Sequence, residues 1–444
     1  MEKKKFARSE WTILILFGLI GQIAWSVENM YFNLFVFDTI APDLSAITLM
    51  VQLSGVTATV VTLIAGTLSD KSGNRRSFIS YGYLIWGVTV ALFGFLAPDA
   101  VASVFSLDST KAVTVTLALV IIGDCVMTAF GSTANDASFN AWVTDNTESE
   151  YRGKVEGVLS ILPLAAMLIV AGGFGMLVEA LDYKWIFLAL GVVITLCGAL
   201  GILMIKDSPT LEKSGRMRDI FYGFKPSVIK SNPALYLVLL VVLVYGVACQ
   251  IFMPYLIIYM NAYLSFSVLE YSAVFAIAIL LGAGVNLYLT RLSDRRDKTS
   301  LLYIATGIFA VGLFGMYLVK DMNKTAVLLL FGIAGFVMIA GYIFISALAN
   351  SLIRDNTPVG EVGKLQGVRM VFSVLIPMLV GPMIGNGINS IRNIPLPDMD
   401  SPDSMTTEYI PAPEIFLAAA VCSLILLAII PILRKAIKSA EKKA

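Results

Sequence analysis

The sequence contains no histidine. That absence excludes a Ser–His–Asp triad, an HExxH zinc site and any imidazole proton relay. Charge is scarce as well. Only 14% of the 444 residues are Asp, Glu, Lys or Arg, where an ordinary soluble domain has about 25%. The four cysteines, Cys125, Cys197, Cys249 and Cys422, lie in long apolar runs without CxxC spacing. They read as buried thiols rather than as metal ligands or a disulfide framework. Basic and acidic residues nearly cancel, at 32 and 31, which argues against a nucleic-acid partner. No nucleophile elbow, phosphate-binding loop or metal-ligand cluster is visible. The chain therefore does not read as an enzyme, and no catalytic residue, metal or cofactor is expected.

What the chain has is apolar length. Hydrophobic residues make up 57% of it, more than a soluble fold can hide from water. A membrane-spanning helix needs about 20 apolar residues. Twelve runs qualify: 11–38, 46–68, 77–97, 112–143, 155–180, 184–205, 234–260, 268–291, 300–319, 326–352, 365–388 and 414–433. The basic start (Lys3, Lys4, Lys5, Arg8) leads into a full-length span without a small-residue cleavage site, so it reads as an uncleaved first span. Placing both termini in the cytoplasm puts 26 basic residues in inside segments and five in outside loops. That asymmetry sets the orientation by the positive-inside rule. The fold class expected is therefore an all-α membrane protein of twelve transmembrane helices.

The chain also repeats itself. Residues 140–158 read NAWVTDNTESEYRGKVEGV and residues 350–368 read NSLIRDNTPVGEVGKLQGV; eight of 19 positions match at an offset of 210. LSDK at 68–71 is echoed by LSDR at 292–295. Both pairs fall after equivalent spans of two six-span halves. The organisation expected is two pseudo-symmetric six-helix bundles, 1–205 and 233–444, joined by a basic cytoplasmic linker at 206–232. Parallel six-plus-six repeats are one architecture of alternating-access transporters.

The loop after span two reads GTLSDKSGNRRS, residues 66–77. Small Gly66 would permit close helix approach, Asp70 sits at a helix end, Gly73 suits a tight turn, and Arg75 and Arg76 can pair with carboxylates or lipid phosphates. This loop resembles the signature of the major facilitator superfamily, G-x-L-x-D-[RK]-x-G-[RK]-x-[RK]. Gly66, Leu68, Asp70, Lys71, Gly73 and Arg76 match, and Asn74 departs from a basic position. The second copy, TRLSDRRDKTS, keeps Leu292, Asp294 and Arg295 and loses both glycines. The resemblance implies the major facilitator fold over essentially the whole chain, embedded in the lipid bilayer of the plasma (cell inner) membrane. By that resemblance Asp70 and Arg76 would be gating residues, and the cytoplasmic gate expected comprises Gly66, Asp70, Lys71, Gly73, Arg76, Asp136, Asp145, Arg152, Asp294, Arg295 and Asp355; Asp136 is placed there with Arg152 and Lys154 because it lies nearer the cytoplasmic end of its span. A narrower resemblance links GQIAWSVEN (21–29) and NDASFNAWVTD (135–145) to the glycoside–pentoside–hexuronide:cation symporters and the sucrose–proton symporters. The melibiose-permease branch of those symporters holds its cation on acids in span two. Residues 46–68 contain no Asp or Glu, which argues for a proton rather than sodium.

Among the acids, Glu28, Asp124 and Asp136 fall well inside spans. A carboxylate at the bilayer centre costs at least about 2.5 kcal/mol, so such an acid is a functional candidate by default. Glu28 and Asp124 are the candidates for carrying a coupling ion, with Arg369 in span eleven as a counter-charge. Asp124, Thr128, Gly131 and Asn135 recur at helical spacing on one face of span four. Span one shows a comparable face with Gln22, Trp25 and Asn29. A sugar needs groups that both donate and accept hydrogen bonds, with an aromatic ring for its C–H surface. The substrate-binding set expected is Gln22, Trp25, Asn29, Thr128 and Asn135, with Tyr342 and Ser346 from span ten; amides in spans also serve as glue between helices. The function expected is proton-coupled symport of a sugar or glycoside. The alternative is a drug or metabolite exporter of the same fold, against which stands AGGFG at 171–175 in span five, without the Gly-Pro of the exporter signature. The acidic outside loop at 389–413 reads as a solvated connection or a lid.

Overall fold

A computed structural model describes residues 7–147, 151–208, 217–293, 297–320, 322–358, 362–396 and 408–441. The described residues are almost entirely helical, as the apolar runs require. Eleven helices among them are long and apolar enough to cross a membrane: α1 (Arg8–Ile40), α2 (Leu44–Ser72), α4 (Ser109–Asn146), α5 (Gly157–Val178), α6 (Tyr183–Met204), α7 (Pro233–Tyr263), α8 (Val268–Val285), α9 (Lys298–Leu318), α10 (Lys324–Asn356), α11 (Leu365–Arg392) and α12 (Glu414–Ser439). The twelfth expected span, α3 (Arg75–Phe93), qualifies together with the short helix Pro98–Phe105, from which it is bent by 92°. The break falls where Gly94 ends one helix and Pro98 starts the next, a proline being favourable only in a helix's first turn.

By contact the chain forms two units. The first holds Met1–Ala41 and Val56–Asp219; the second holds Pro42–Gly55 and Ile220–Ala444. The first turns of α2 thus count with the second unit. There Thr48 and Tyr255 share a 2.6 Å hydroxyl–hydroxyl bond, and Gln52 Nε2 donates to the Leu379 carbonyl at 2.8 Å.

Lipid tails are as apolar as leucine, so helices in a membrane associate by close packing of small residues. The first unit shows this between α3 and α6. A Cβ on Gly191 would come within 2.6 Å of the Ala91 nitrogen, and one on Gly198 within 2.5 Å of the Leu84 nitrogen. In the second unit α9 and α10 use the same device, with Gly312 against the Met338 backbone and Gly341 against that of Phe309.

Two features depart from the sequence expectation. The connection after α11 contains a short antiparallel strand pair, β1 (Ile394–Pro395) with β2 (Tyr409–Ile410). Its acidic residues Asp398, Asp400 and Asp403 lie outside the described residues. Among the described residues, six π-helical turns interrupt the spans, including Glu28–Phe32 in α1 and Ser132–Phe139 in α4. Such turns insert extra residues into a helix and recur at functional sites.

Candidate functional site

The candidate site of the first unit grows from the seam between α1 and α4. Thr128 Oγ1 donates to Glu28 Oε1 at 3.2 Å. One turn along, Gly131 faces Trp25 and Trp86; a Cβ there would come within 3.0 Å of Trp25 and 2.8 Å of Trp86. Next, a Cβ on Gly21 would collide with Asn135 Nδ2 and lie 2.6 Å from the Tyr83 hydroxyl. Gly18 closes the series, where a Cβ would lie 3.6 Å from the Phe139 ring. As the α1 residue number falls, the α4 partner's rises, which is antiparallel packing in register.

This seam decides which polar residues are buried between helices. Asn135 Nδ2 donates to Tyr83 Oη at 2.7 Å, and that hydroxyl donates to the Phe17 carbonyl at 2.7 Å. Asn135 is 3% exposed and Thr128 1%. Their shared face makes both expected solute ligands. In the structure Asn135 links α1, α3 and α4 through Tyr83, and Thr128 bonds to the Glu28 carboxylate. Asp124, one turn before Thr128, is 1% exposed.

Beside the closed seam α1 presents an open stripe. Gln22 and Trp25 are half-buried and Asn29 is exposed. The Trp25 ring packs at 5.0 Å against the buried Trp86 ring, and Asn29 Nδ2 donates to the Trp25 carbonyl at 2.7 Å. Asp136 belongs here. The sequence places it in the gate with Arg152 and Lys154, but Asp136 Oδ2 accepts from Ser132 Oγ at 3.1 Å and its carboxyl lies beside the Trp25 indole. Ser132 and Asp136 both lie in the π-helical turn Ser132–Phe139. The Arg152 side chain lies outside the described residues, and Lys154 Nζ sits 5.8 Å over the Tyr151 ring.

The loop after α2, the expected gate, is built around Arg75. Its Nη2 meets Asp70 Oδ1 at 2.5 Å, its Nε meets Asp145 Oδ2 at 2.9 Å, and its Nη1 donates to Ser69 Oγ at 2.9 Å. The side chain is buried, 5% exposed, against 39% for Asp70 and 24% for Asp145. A guanidinium fork can bind two carboxylates and a hydroxyl at once, which an ammonium cannot do with the same geometry. Arg76, expected in this role, faces away. Its backbone N–H donates to Asp207 Oδ1 at 2.9 Å and its Nη2 to the Ile202 carbonyl. Gly73 adopts φ 65°, the left-handed turn that glycine enters without strain. Asn74, which departs from the basic position, caps α3 by accepting from Ser77 N–H at 3.0 Å. Lys71 is exposed. Gly66 was expected to permit close helix approach, yet a Cβ there would meet Ala137 Cβ only at an ordinary 3.9 Å.

In the second unit Asp355 Oδ2 pairs with Lys298 Nζ at 2.5 Å. Asp294 and Arg295 lie outside the described residues. Asp297 caps α9 by accepting from Thr299 N–H at 3.2 Å. Burial alone would raise its carboxyl, but bonds from Thr299 and Ser300, with Arg434 Nε 3.4 Å away, outweigh that and hold it below its ordinary range. Tyr342 and Ser346 are half-buried. The Tyr342 ring lies 5.5 Å from that of Tyr245, whose hydroxyl donates to the Tyr342 carbonyl at 3.0 Å. Arg369 is exposed and its Nη2 donates to Asn350 Oδ1 at 3.5 Å.

A family model described as Major Facilitator Superfamily matches residues 14–382, most of the chain. The chain belongs to this superfamily. Solved structures agree on the fold. The nucleoside transporter NupG superposes with a TM-score of 0.65 at 12% identity, over 97% of this chain and 100% of NupG. A variant of NupG gives 0.67 at 11% identity, over 95% of this chain and 99% of that one. A bacterial homologue of the human lysosomal transporter Spinster, in an inward-facing and unoccupied conformation, gives 0.65 at 14% identity, over 97% and 98%. No curated protein sequence matches the chain. As a superfamily member with this fold it is a multi-pass membrane transporter.

In the sequence, Arg75 shows only as a possible substitute for the missing base at Asn74. Tyr83, Trp86 and Lys298 do not stand out there. Tyr83 and Trp86 could have been flagged by their three-residue spacing in an apolar span. Lys298 carries no such signal, because its partner Asp355 is 57 residues away.

Proposed function

We propose that this superfamily member is a secondary active transporter that works by alternating access and carries a small polar organic solute, a sugar or glycoside, together with a proton. The observation that carries the reading is the acid pair of the α1–α4 seam. Glu28 accepts from Thr128, and Asp124 lies buried one turn away on the same helix as Thr128. Two membrane-embedded acids in a chain without histidine are the natural proton carriers. Neither acid stands in α2, which argues against a sodium site of the melibiose-permease kind. The open stripe of Gln22, Trp25 and Asn29, with Asp136 beside it, offers donors, acceptors and an aromatic face, the groups a sugar ring needs. In the second half Tyr342 and Ser346 are the proposed solute-facing hydroxyls of α10, and Arg369 of α11 is the proposed cationic group of the coupling cycle. The halves 1–205 and 233–444 move in alternating access, and Arg75, Asp70 and Asp145 latch the cytoplasmic end of the first. Both termini face the cytoplasm and the membrane is the plasma (cell inner) membrane, as the distribution of basic residues supports. A nucleoside is a sugar bearing a base, so the likeness to NupG brings nucleosides onto the same list of solutes.

The test is uptake by the purified protein in liposomes, across sugars, glycosides and nucleosides, under an imposed pH gradient. Accumulation that collapses with the gradient is expected for at least one of them. Accumulation driven only by a sodium gradient would replace the proton, and efflux of amphiphilic drugs in its place would make the protein an exporter.

A further inference from the structure

The segment just before α7 carries an arrangement that the transport reading does not use. Residues Ile220 to Phe224 end a 3₁₀ turn, and Pro226–Ser231 form a short helix that stops two residues before α7 begins at Pro233. The segment therefore lies level with the end of a membrane span. It is docked to its own unit on one side. Val228 is buried, a Cβ on Gly223 would lie 2.7 Å from Val368 Cγ1, and the Tyr236 hydroxyl donates to the Gly223 carbonyl.

The opposite side is not polar. Phe221 is 67% exposed, Phe224 38% and Ile229 40%. Beside them stand the exposed Lys225, whose Nζ lies 5.4 Å over the Tyr222 ring, and the exposed Lys230. No acid occurs from Ile220 to Asn232. An outward face that alternates large apolar groups with ammonium groups suits neither bulk water nor a hydrocarbon core. It suits the boundary between them, where apolar rings enter the acyl region and lysine stems reach back to phosphates.

We propose that Ile220–Ser231 is a lipid-docking strip that lies along the membrane surface, with Phe221, Phe224 and Ile229 among the acyl-chain ends and Lys225 and Lys230 on anionic lipid headgroups. Charge complementarity selects the occupant: the strip carries two cations and no anion. The inference goes beyond the transport reading and does not depend on it.

The experiment is hydrogen exchange on the full-length protein in nanodiscs of phosphatidylcholine alone and of phosphatidylcholine with phosphatidylglycerol. A lysine near an anionic surface is worth about fivefold in binding, so amides of 220–231 are expected to exchange at least about fivefold more slowly in the anionic discs. The double variant Lys225→Gln, Lys230→Gln is expected to remove that difference while leaving exchange in α7 and α11 unchanged. Equal exchange in the two lipids, or slowing that survives in the double variant, overturns the proposal. Should the double variant disturb α7, Phe221→Trp decides, because it removes no charge. Its emission is expected to be quenched by brominated phosphatidylglycerol beyond what the five native tryptophans show; no added quenching overturns the strip's insertion. Nanodiscs expose both faces to the same lipid, so the outcome is independent of the orientation of the chain.

Discussion

The guanidinium of Arg75 meets the carboxylate of Asp145 at 2.9 Å, joining the start of α3 to the end of α4 across 70 residues of sequence. Arg75 also holds Asp70, so one buried cation ties the ends of three helices together. An arginine so placed is harder to replace than one on a surface.

Arg75→Ala is expected to destabilise the protein by about 2–4 kcal/mol, because removing one partner leaves buried or half-buried carboxylates unpaired. The figure is set below the full cost of a buried pair, since Asp70 and Asp145 keep some exposure. Arg76→Ala, at an exposed position, is expected to cost under about 1 kcal/mol. Thermal unfolding in detergent compares the two. A larger loss from Arg76→Ala would move the hub of the gate to Arg76.

Gly21→Ala tests the seam between α1 and α4. The added methyl enters the space of the Asn135–Tyr83 hydrogen bond and is expected to cost about 1–3 kcal/mol. Asn135→Ala removes the side chain that the methyl would strike. The two changes together are therefore expected to cost less than the sum of each alone, since residues in contact do not add. Strict additivity in a double-mutant cycle would refute the contact.

Asp124→Asn and Glu28→Gln are expected to abolish accumulation driven by a pH gradient in liposomes while exchange of labelled for unlabelled solute continues. Exchange needs the carrier to turn over but no net proton movement. Loss of both activities by the same factor would show that these acids shape the solute site rather than couple the ion.

Glu408 precedes β2 and its carboxyl is raised above its ordinary 4.5, first by burial and then by the charge of Asp43. A raised acid favours the folded state below its ordinary value and withdraws that support as pH rises through its folded value. The strand pair β1–β2 is therefore expected to be better protected from hydrogen exchange at pH 4.5 than at pH 7. Glu408→Gln should flatten that slope. Protection that rises from pH 4.5 to pH 7 would contradict the raised carboxyl of Glu408.

Composition and periodicity were enough to place the helices. Apolar runs of the required length dictate spans wherever lipid is the solvent, and the motif around Asp70 and Gly73 is local in sequence, so both were legible. The common face of Asp124, Thr128, Gly131 and Asn135 was legible too, because helical spacing fixes which side chains share a side. What that face meets was not. Helical phase names no partner, and only the packed bundle shows that Gly18, Gly21 and Gly131 make this face a closed seam. The same limit hid Arg75, whose neighbour Arg76 fits the motif equally well and differs only in the direction its side chain takes after the turn at Gly73. Nor did spacing show that Ser132, one turn before Asp136, would donate to its carboxylate. The sequence by itself determined that this is a membrane chain of repeated halves with a few costly internal charges. The tertiary structure alone decided which of its polar groups hold helices together and which stay exposed, because that choice rests on close contacts between residues far apart in the chain.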